Sequence, residues 1–144
     1  MDKTKLAYLA GIIDGEGTIN ITYFTKRNEY RMRLYVVNTD IRLIDWLESN
    51  FGGMKFHAKR HTVNHPNWKE KWEWIYIPSK DKLGLLEALL PYMVIKSEQL
   101  TIAIEYLKTT SKSGIRITEE ARNVRKSCYE RLRALNSRAV ATTK

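Results

Sequence analysis

The sequence predicts an α+β domain in which helices back one face of an antiparallel sheet. Two observations carry this reading: the apolar period changes from helical to twofold at Thr18, and two pairs of alternating runs are separated and followed by helical segments. With 144 residues and 43% hydrophobic content, the chain suits a single core. No apolar run approaches the ~18 residues of a membrane span. Cys128 is the only cysteine, which excludes an internal disulfide and a Cys-rich zinc site and fits a reducing compartment.

Thr4 is placed to cap a first helix over residues 5–15, with Leu6, Leu9, Ala10, Ile12 and Ile13 at helical spacing and Gly15 and Gly17 at its end. From Thr18, Ile19, Ile21 and Tyr23 alternate with Thr18, Asn20, Thr22 and Phe24. The run from Tyr30 to Asn38 sets Met32, Leu34 and Val36 against Arg31, Arg33 and Tyr35, so a hairpin is expected across TKRNE. Asp40 caps a second helix with Ile41, Ile44, Leu47 and Phe51 on its stripe, closed by Gly52 and Gly53. A second strand pair follows. Met54, Phe56 and Ala58 are expected inward against Lys55, His57 and Lys59, and Trp72, Trp74 and Tyr76 inward against Lys71, Glu73 and Ile75. Helices are expected from 80 to 90 and from Pro91 to 108. SKSG at 111–114 reads as a linker between a core of 1–110 and a C-terminal segment of 111–144 whose helix is expected to pack on or flank that core. In that segment Thr118 caps a basic helix with Ala121, Val124, Cys128, Leu132 and Leu135 on one face, fraying from 136.

Lys and Arg number 25 against 16 Asp and Glu, a net charge of +9, which points to a polyanionic partner. The outward sheet positions reinforce this, since Arg31, Arg33, Lys55, Lys59 and Lys71 are interleaved with Thr, Asn, His and Tyr while acids are scarce. An antiparallel ribbon of that character fits the major groove of duplex DNA.

Along the first helix, Ala7, Gly11 and Gly15 lie four apart and make a strip without bulky side chains. A second backbone can approach there, and its obvious source is the same helix of a second copy across a two-fold axis. That crossing brings two Glu16 carboxylates together at helix C-termini. Their charge, with the partial negative charge of nearby carbonyls such as that of Gly15, would suit a hard divalent cation, Mg²⁺, with Mn²⁺ or Ca²⁺ as structural substitutes, although DGEG taken alone reads first as an ordinary helix-terminal acid in a turn.

Residues 9–17, LAGIIDGEG, resemble the signature of the LAGLIDADG homing endonucleases, differing by conservative exchanges and one Ala to Gly. The element order over residues 5–108 is also similar to that family's αββαββα core, and no second signature occurs, as in single-motif homodimeric members. The resemblance implies a saddle-shaped DNA-binding sheet backed by helices and a motif-helix interface, here Ala7, Ala10, Gly11, Asp14 and Gly15. It makes Glu16 the metal ligand, standing where the signature has Asp, with a supporting structural role for Asp14. From LLPYMVIKSEQ it implies Lys96 as the lysine approaching the active site. Asn38 lies where relatives often carry a polar residue that positions water, with Arg42 as its cationic companion. The implied activity is intron-encoded homing: metal-dependent double-strand cuts in a long pseudo-palindromic site, leaving short 3′ overhangs.

Target readout is then expected from Thr18, Asn20, Thr22, Phe24 and Lys26, from Arg31, Arg33 and Tyr35, and from Lys55, His57, Lys59, Lys71 and Glu73. The implied partners are double-stranded DNA and a second copy, without membrane or small-molecule substrate. With no targeting segment, the protein is expected inside the cell with its DNA, in a prokaryotic cytoplasm or an organelle, and not secreted. The alternative on the same fold is an RNA maturase or a non-cleaving DNA-binding regulator. His57, His61 and His65 are spaced by four, but strand and loop do not converge them as a helix would. Trp46, Trp72 and Trp74 read as core residues, and Trp68 falls in a loop.

Overall fold

The computed structural model describes residues 2–58, 70–77, 82–110 and 116–142, with side chains through 137. Helix α1 spans Lys3–Glu16 and is capped by Asp2, one residue pair earlier than expected, whose carboxylate accepts the Thr4 N–H at 2.8 Å. Leu6, Leu9, Ala10 and Ile13 fall on one face and are buried. The helix passes into strand β1, Gly17–Phe24, without a connecting loop, and the Gly17 N–H donates to the carbonyls of Ile12 and Ile13. A Cβ at Gly17 would sit 2.7 Å from Ile13 Cα, so this junction admits only glycine without displacement.

Strand β2, Glu29–Asn38, pairs antiparallel with β1, and Asn28 takes a positive φ of 49° in the turn between them. Helix α2, Ile41–Phe51, is capped by Asp40 and ends at Gly52, as the sequence predicts. Strands β3, Met54–Ala58, and β4, Lys71–Tyr76, complete a four-stranded antiparallel sheet of order β1-β2-β4-β3. Leu34 lies opposite Tyr76 and Val36 opposite Trp74, so the inner faces of both pairs join in one core beneath α1 and α2. Trp74 and Tyr76 are fully buried, and the Trp74 indole donates to the Gly52 carbonyl at 2.7 Å. Each such large apolar side chain contributes about 1.5–3 kcal/mol of transfer free energy.

One strand is inverted relative to its expected facing. Lys55 lies opposite Trp74 and His57 opposite Trp72, which puts both on the helix side. There the Lys55 ammonium meets Asp45 of α2 at 2.6 Å, and the His57 ring stacks on Trp72 at 5.2 Å between centroids. Met54 and Phe56, expected inside, are instead on the outer face and exposed. The cause is α2, which offers Asp45 and Glu48 to this edge strand in place of an apolar surface.

Helix α3, Leu83–Leu89, and a single 3₁₀ turn, Leu90–Tyr92, lead to helix α4, Ser97–Leu107. The last of these starts later than Pro91, because Val94 to Lys96 turn their N–H groups toward α1. Helix α5 runs from Glu119 to Thr142, continuous beyond the expected fraying point. Thr118 Oγ1 accepts the Ala121 N–H, the expected cap. Cys128 and Leu132 are buried against the core, Arg131 pairs with Glu105 of α4, and Val124 is exposed rather than packed. Asn136 Nδ2 donates to the Ile19 carbonyl at 3.1 Å, which occupies part of the open edge of β1. Lys59, His61, His65, Trp68 and the 111–114 linker lie outside the described residues.

Candidate functional site

Because α1 runs straight into β1, its last side chain, Glu16, is delivered to the rim between helix and sheet. Asn38, the final residue of β2, donates from Nδ2 to Glu16 Oε2 at 2.5 Å. Asn38 is itself held, since its Oδ1 accepts the Asp40 N–H at 2.7 Å. The carboxylate is exposed with one oxygen fixed, and no partner binds the other among the described residues. Arg42 does not join it. Its guanidinium is bound by Asp40 at 2.6 Å, and this hydrogen bonding holds the Asp40 carboxyl down at about 2.

Lys96 lies beneath the end of α1. Its Nζ donates to the carbonyls of Ile13, Asp14 and Gly17 at 3.0, 3.1 and 2.6 Å, so the three ammonium protons are all engaged on main chain flanking Glu16. A cation at a helix C-terminus compensates the exposed carbonyl dipoles there. Burial lowers the Lys96 pKa, and the Asp14 charge opposes that shift. Asp14 closes the arrangement in the other direction: its carboxylate accepts N–H groups from Val94, Ile95 and Lys96 at 2.9 to 3.1 Å. Motif helix and 93–96 segment are thus clasped by two reciprocal sets of bonds.

On the opposite side of α1, Ala7, Gly11 and Gly15 line an open groove with Tyr8, Ile12, Glu16 and Leu43. Among the described residues, a Cβ built at Gly11 or Gly15 meets nothing within 4 Å outside its own helix, so no packing there demands glycine. Ala10 is different. It is fully buried in the chain's own core and Asp14 is taken up by the 93–96 segment, which removes both from the strip on which they were expected.

The outer sheet face carries Thr18, Asn20, Thr22 and Phe24 opposite Tyr35, Arg33, Arg31 and Glu29, as the alternation predicts. Arg31 lies over the Phe24 ring and bonds Glu29 at 3.2 Å, and Arg33 lies over Tyr35. Lys26 is exposed in the hairpin turn. Lys71 and Glu73 share this face, whereas Lys55 and His57 do not. Missed from sequence were Met54 and Phe56 as outer residues, while Asp14 was expected in a supporting structural role whose partners, the N–H groups of residues 94–96, spacing does not name. The acids of α2 three residues apart, Asp45 and Glu48, were the available sign that β3 needed an inward cation.

No protein-family model and no curated protein matches the chain. Solved structures do. The homing endonuclease I-CvuI, in complex with its target Sro1.3 in the presence of calcium, is 21% identical over 90% of this chain and 95% of that one, with a TM-score of 0.60. The same enzyme with the I-CreI target and magnesium, its DNA not cleaved, is 22% identical over 90% and 95%, with a TM-score of 0.53. An archaeal intron-encoded homing endonuclease, I-Vdi141I, complexed with DNA, is 13% identical over 89% and 98%, with a TM-score of 0.54. Helix-to-strand junction, sheet order and backing helices therefore together form the LAGLIDADG homing-endonuclease fold.

Proposed function

We propose that the protein is a site-specific homing endonuclease that cuts both strands of a long, pseudo-palindromic DNA target as a homodimer, leaving short 3′ overhangs. The observation that carries this reading is the placement of an exposed Glu16, oriented by Asn38, at the end of a helix whose open face is a glycine strip. One chain provides a single such carboxylate. A second copy crossing at Gly11 and Gly15 supplies the other, which makes the site complete only in the dimer.

The donor set fits a hard divalent cation: carboxylate oxygens of two Glu16 residues, supplemented by main-chain carbonyls such as that of Gly15. Magnesium bound there supplies Lewis-acid charge for hydrolysis of the phosphodiester. The chain's own residues do the rest. Asn38 holds Glu16 at the rim, and the Lys96 ammonium, fixed on the main chain that flanks Glu16, adds positive charge that offsets negative charge building up during cleavage. Outer residues of the sheet, Thr18, Asn20, Thr22, Phe24, Arg31, Arg33, Tyr35, Lys71 and Glu73 with Lys26 at the hairpin, contact bases and phosphates. Lys55 and His57 are bound to the helix side and take no part in it.

The test is selection of sites from a random duplex library, first with magnesium and then with calcium, on the native protein and on Glu16→Gln. Native protein is expected to cut in magnesium, and the variant to bind the same sites without cutting. Full cutting by Glu16→Gln removes Glu16 from the mechanism. Binding without cleavage by the native protein makes it a regulator instead.

A further inference from the structure

The inverted facing of β3 changes what the outer sheet face offers. Met54 stands directly opposite Ile75, and Ile75 opposite Tyr35, so three strands contribute to one continuous row of large, mainly apolar side chains. In the neighbouring row Phe56 and Val37 flank Glu73. Met54 and Phe56 are 45% and 40% exposed, a substantial apolar patch on a surface that must otherwise face water. Isolated exposed apolar residues are ordinary, but a contiguous set spanning the sheet marks an interaction surface.

Position along the strands is as informative as composition. The apolar rows lie at the Gly17 and Asn38 end of the sheet, next to Glu16. The guanidinium rows, Arg33 opposite Asn20 and Arg31 opposite Thr22, follow toward the distal hairpin with Lys26. Successive rows on one face are about 7 Å apart, roughly the rise of two base pairs. The two zones therefore address different positions of a bound duplex.

We propose that the apolar zone reads thymine methyl groups in the base pairs nearest the cut, while the arginine zone reads guanine edges further out. This rests on the DNA-cleaving reading and specifies its target. The surface belongs to a chain of net charge +9 with arginines beside the patch, which selects a polyanion as the occupant. Within the major groove of DNA the apolar group available to such side chains is the thymine C5-methyl, whereas the guanine O6 and N7 acceptors suit arginine. Glu73 fits the same assignment. A carboxylate repels phosphate but accepts from an exocyclic amine of adenine or cytosine, so its row faces base edges rather than backbone.

The experiment uses the native protein in calcium and a duplex recovered from the random library, resynthesised with uracil replacing thymine. Uracil pairs identically and lacks only the methyl. Replacement in the pairs flanking the cut is expected to weaken binding about fourfold per contacted methyl, the loss for one buried carbon. Replacement at the outer positions is expected to weaken binding less than replacement near the cut, since the paired strands there expose Phe24 among guanidinium and polar groups. Phe56→Ala and Met54→Ala, both at exposed positions, should abolish the thymine preference near the cut while leaving that for guanine outside. Equal affinity for thymine and uracil near the cut, or recovered sites without thymine there, overturns the inference and leaves the nuclease reading standing. Failure to recover any duplex overturns both.

Discussion

Glu16, Asn38, Lys96 and Asp14 form two linked devices, one aiming a carboxylate and one fixing the helix that carries it. Asn38→Ala leaves Glu16 without its 2.5 Å donor and frees the Asp40 N–H, so cleavage is expected to fall about 10–100-fold, the usual cost of losing a residue that orients a ligand. Steady binding in calcium with slowed cutting in magnesium is the expected pattern, and loss of both in proportion would assign Asn38 to DNA contact. Lys96→Met should slow cleavage more than it weakens binding. It should also lower stability, because three main-chain carbonyls lose their donor at once, at a cost of about 1–3 kcal/mol. Urea denaturation measures this, and an unchanged midpoint would show that Lys96 does not secure the end of α1.

At the scale of elements, α1 serves two surfaces. Its buried side holds Leu6, Leu9, Ala10 and Ile13, and its open side holds Ala7, Gly11 and Gly15. Glycine inside a helix costs about 0.8–1 kcal/mol relative to good helix formers, and among the described residues no packing offsets that at Gly11. Gly11→Gln is therefore expected to stabilise the isolated chain by about 0.5–1 kcal/mol while preventing self-association. Thermal unfolding and sedimentation velocity read the two effects separately. A Gly11→Gln protein that remains dimeric would exclude this helix face as the seam.

The whole molecule joins the C-terminal helix to the core rather than leaving it as an appendage. Cys128 and Leu132 are buried, Arg125 Nε donates to Thr109 Oγ1 at 2.8 Å while its guanidinium lies over Tyr106, and Asn136 reaches the edge of β1. Leu132→Ala is expected to cost about 2–5 kcal/mol and to lower one cooperative transition for the entire chain. Two separate transitions in calorimetry, with only the smaller one shifted, would show that the C-terminal helix unfolds as a unit of its own. This packing engages Arg125 in the fold and leaves Arg133, bonded to Tyr129 at 3.2 Å, near the outer rim.

Elements with one face in a core and one in water were legible from apolar spacing alone: α1, the β1–β2 hairpin and α2 with its Asp40 cap. There, burial of Ile19, Leu34 or Ile44 outweighs any competing interaction, so periodicity and structure agree. The position of Glu16 at the end of α1 was legible for a related reason, since the apolar period changes directly after it, whereas its role as a metal ligand rests on the resemblance of LAGIIDGEG. The facing of β3 was not legible. Its alternation is compatible with either side, and the choice went to the ion pairs that Asp45 and Glu48 offer from another element. Nor could spacing reveal that Asp14 draws the N–H groups of residues 94–96 away from a helix beginning at Pro91, because that bond spans some eighty residues. Apolar burial is a property each segment carries in its own order of residues, whereas satisfying a charge depends on which distant group the fold brings within three ångströms.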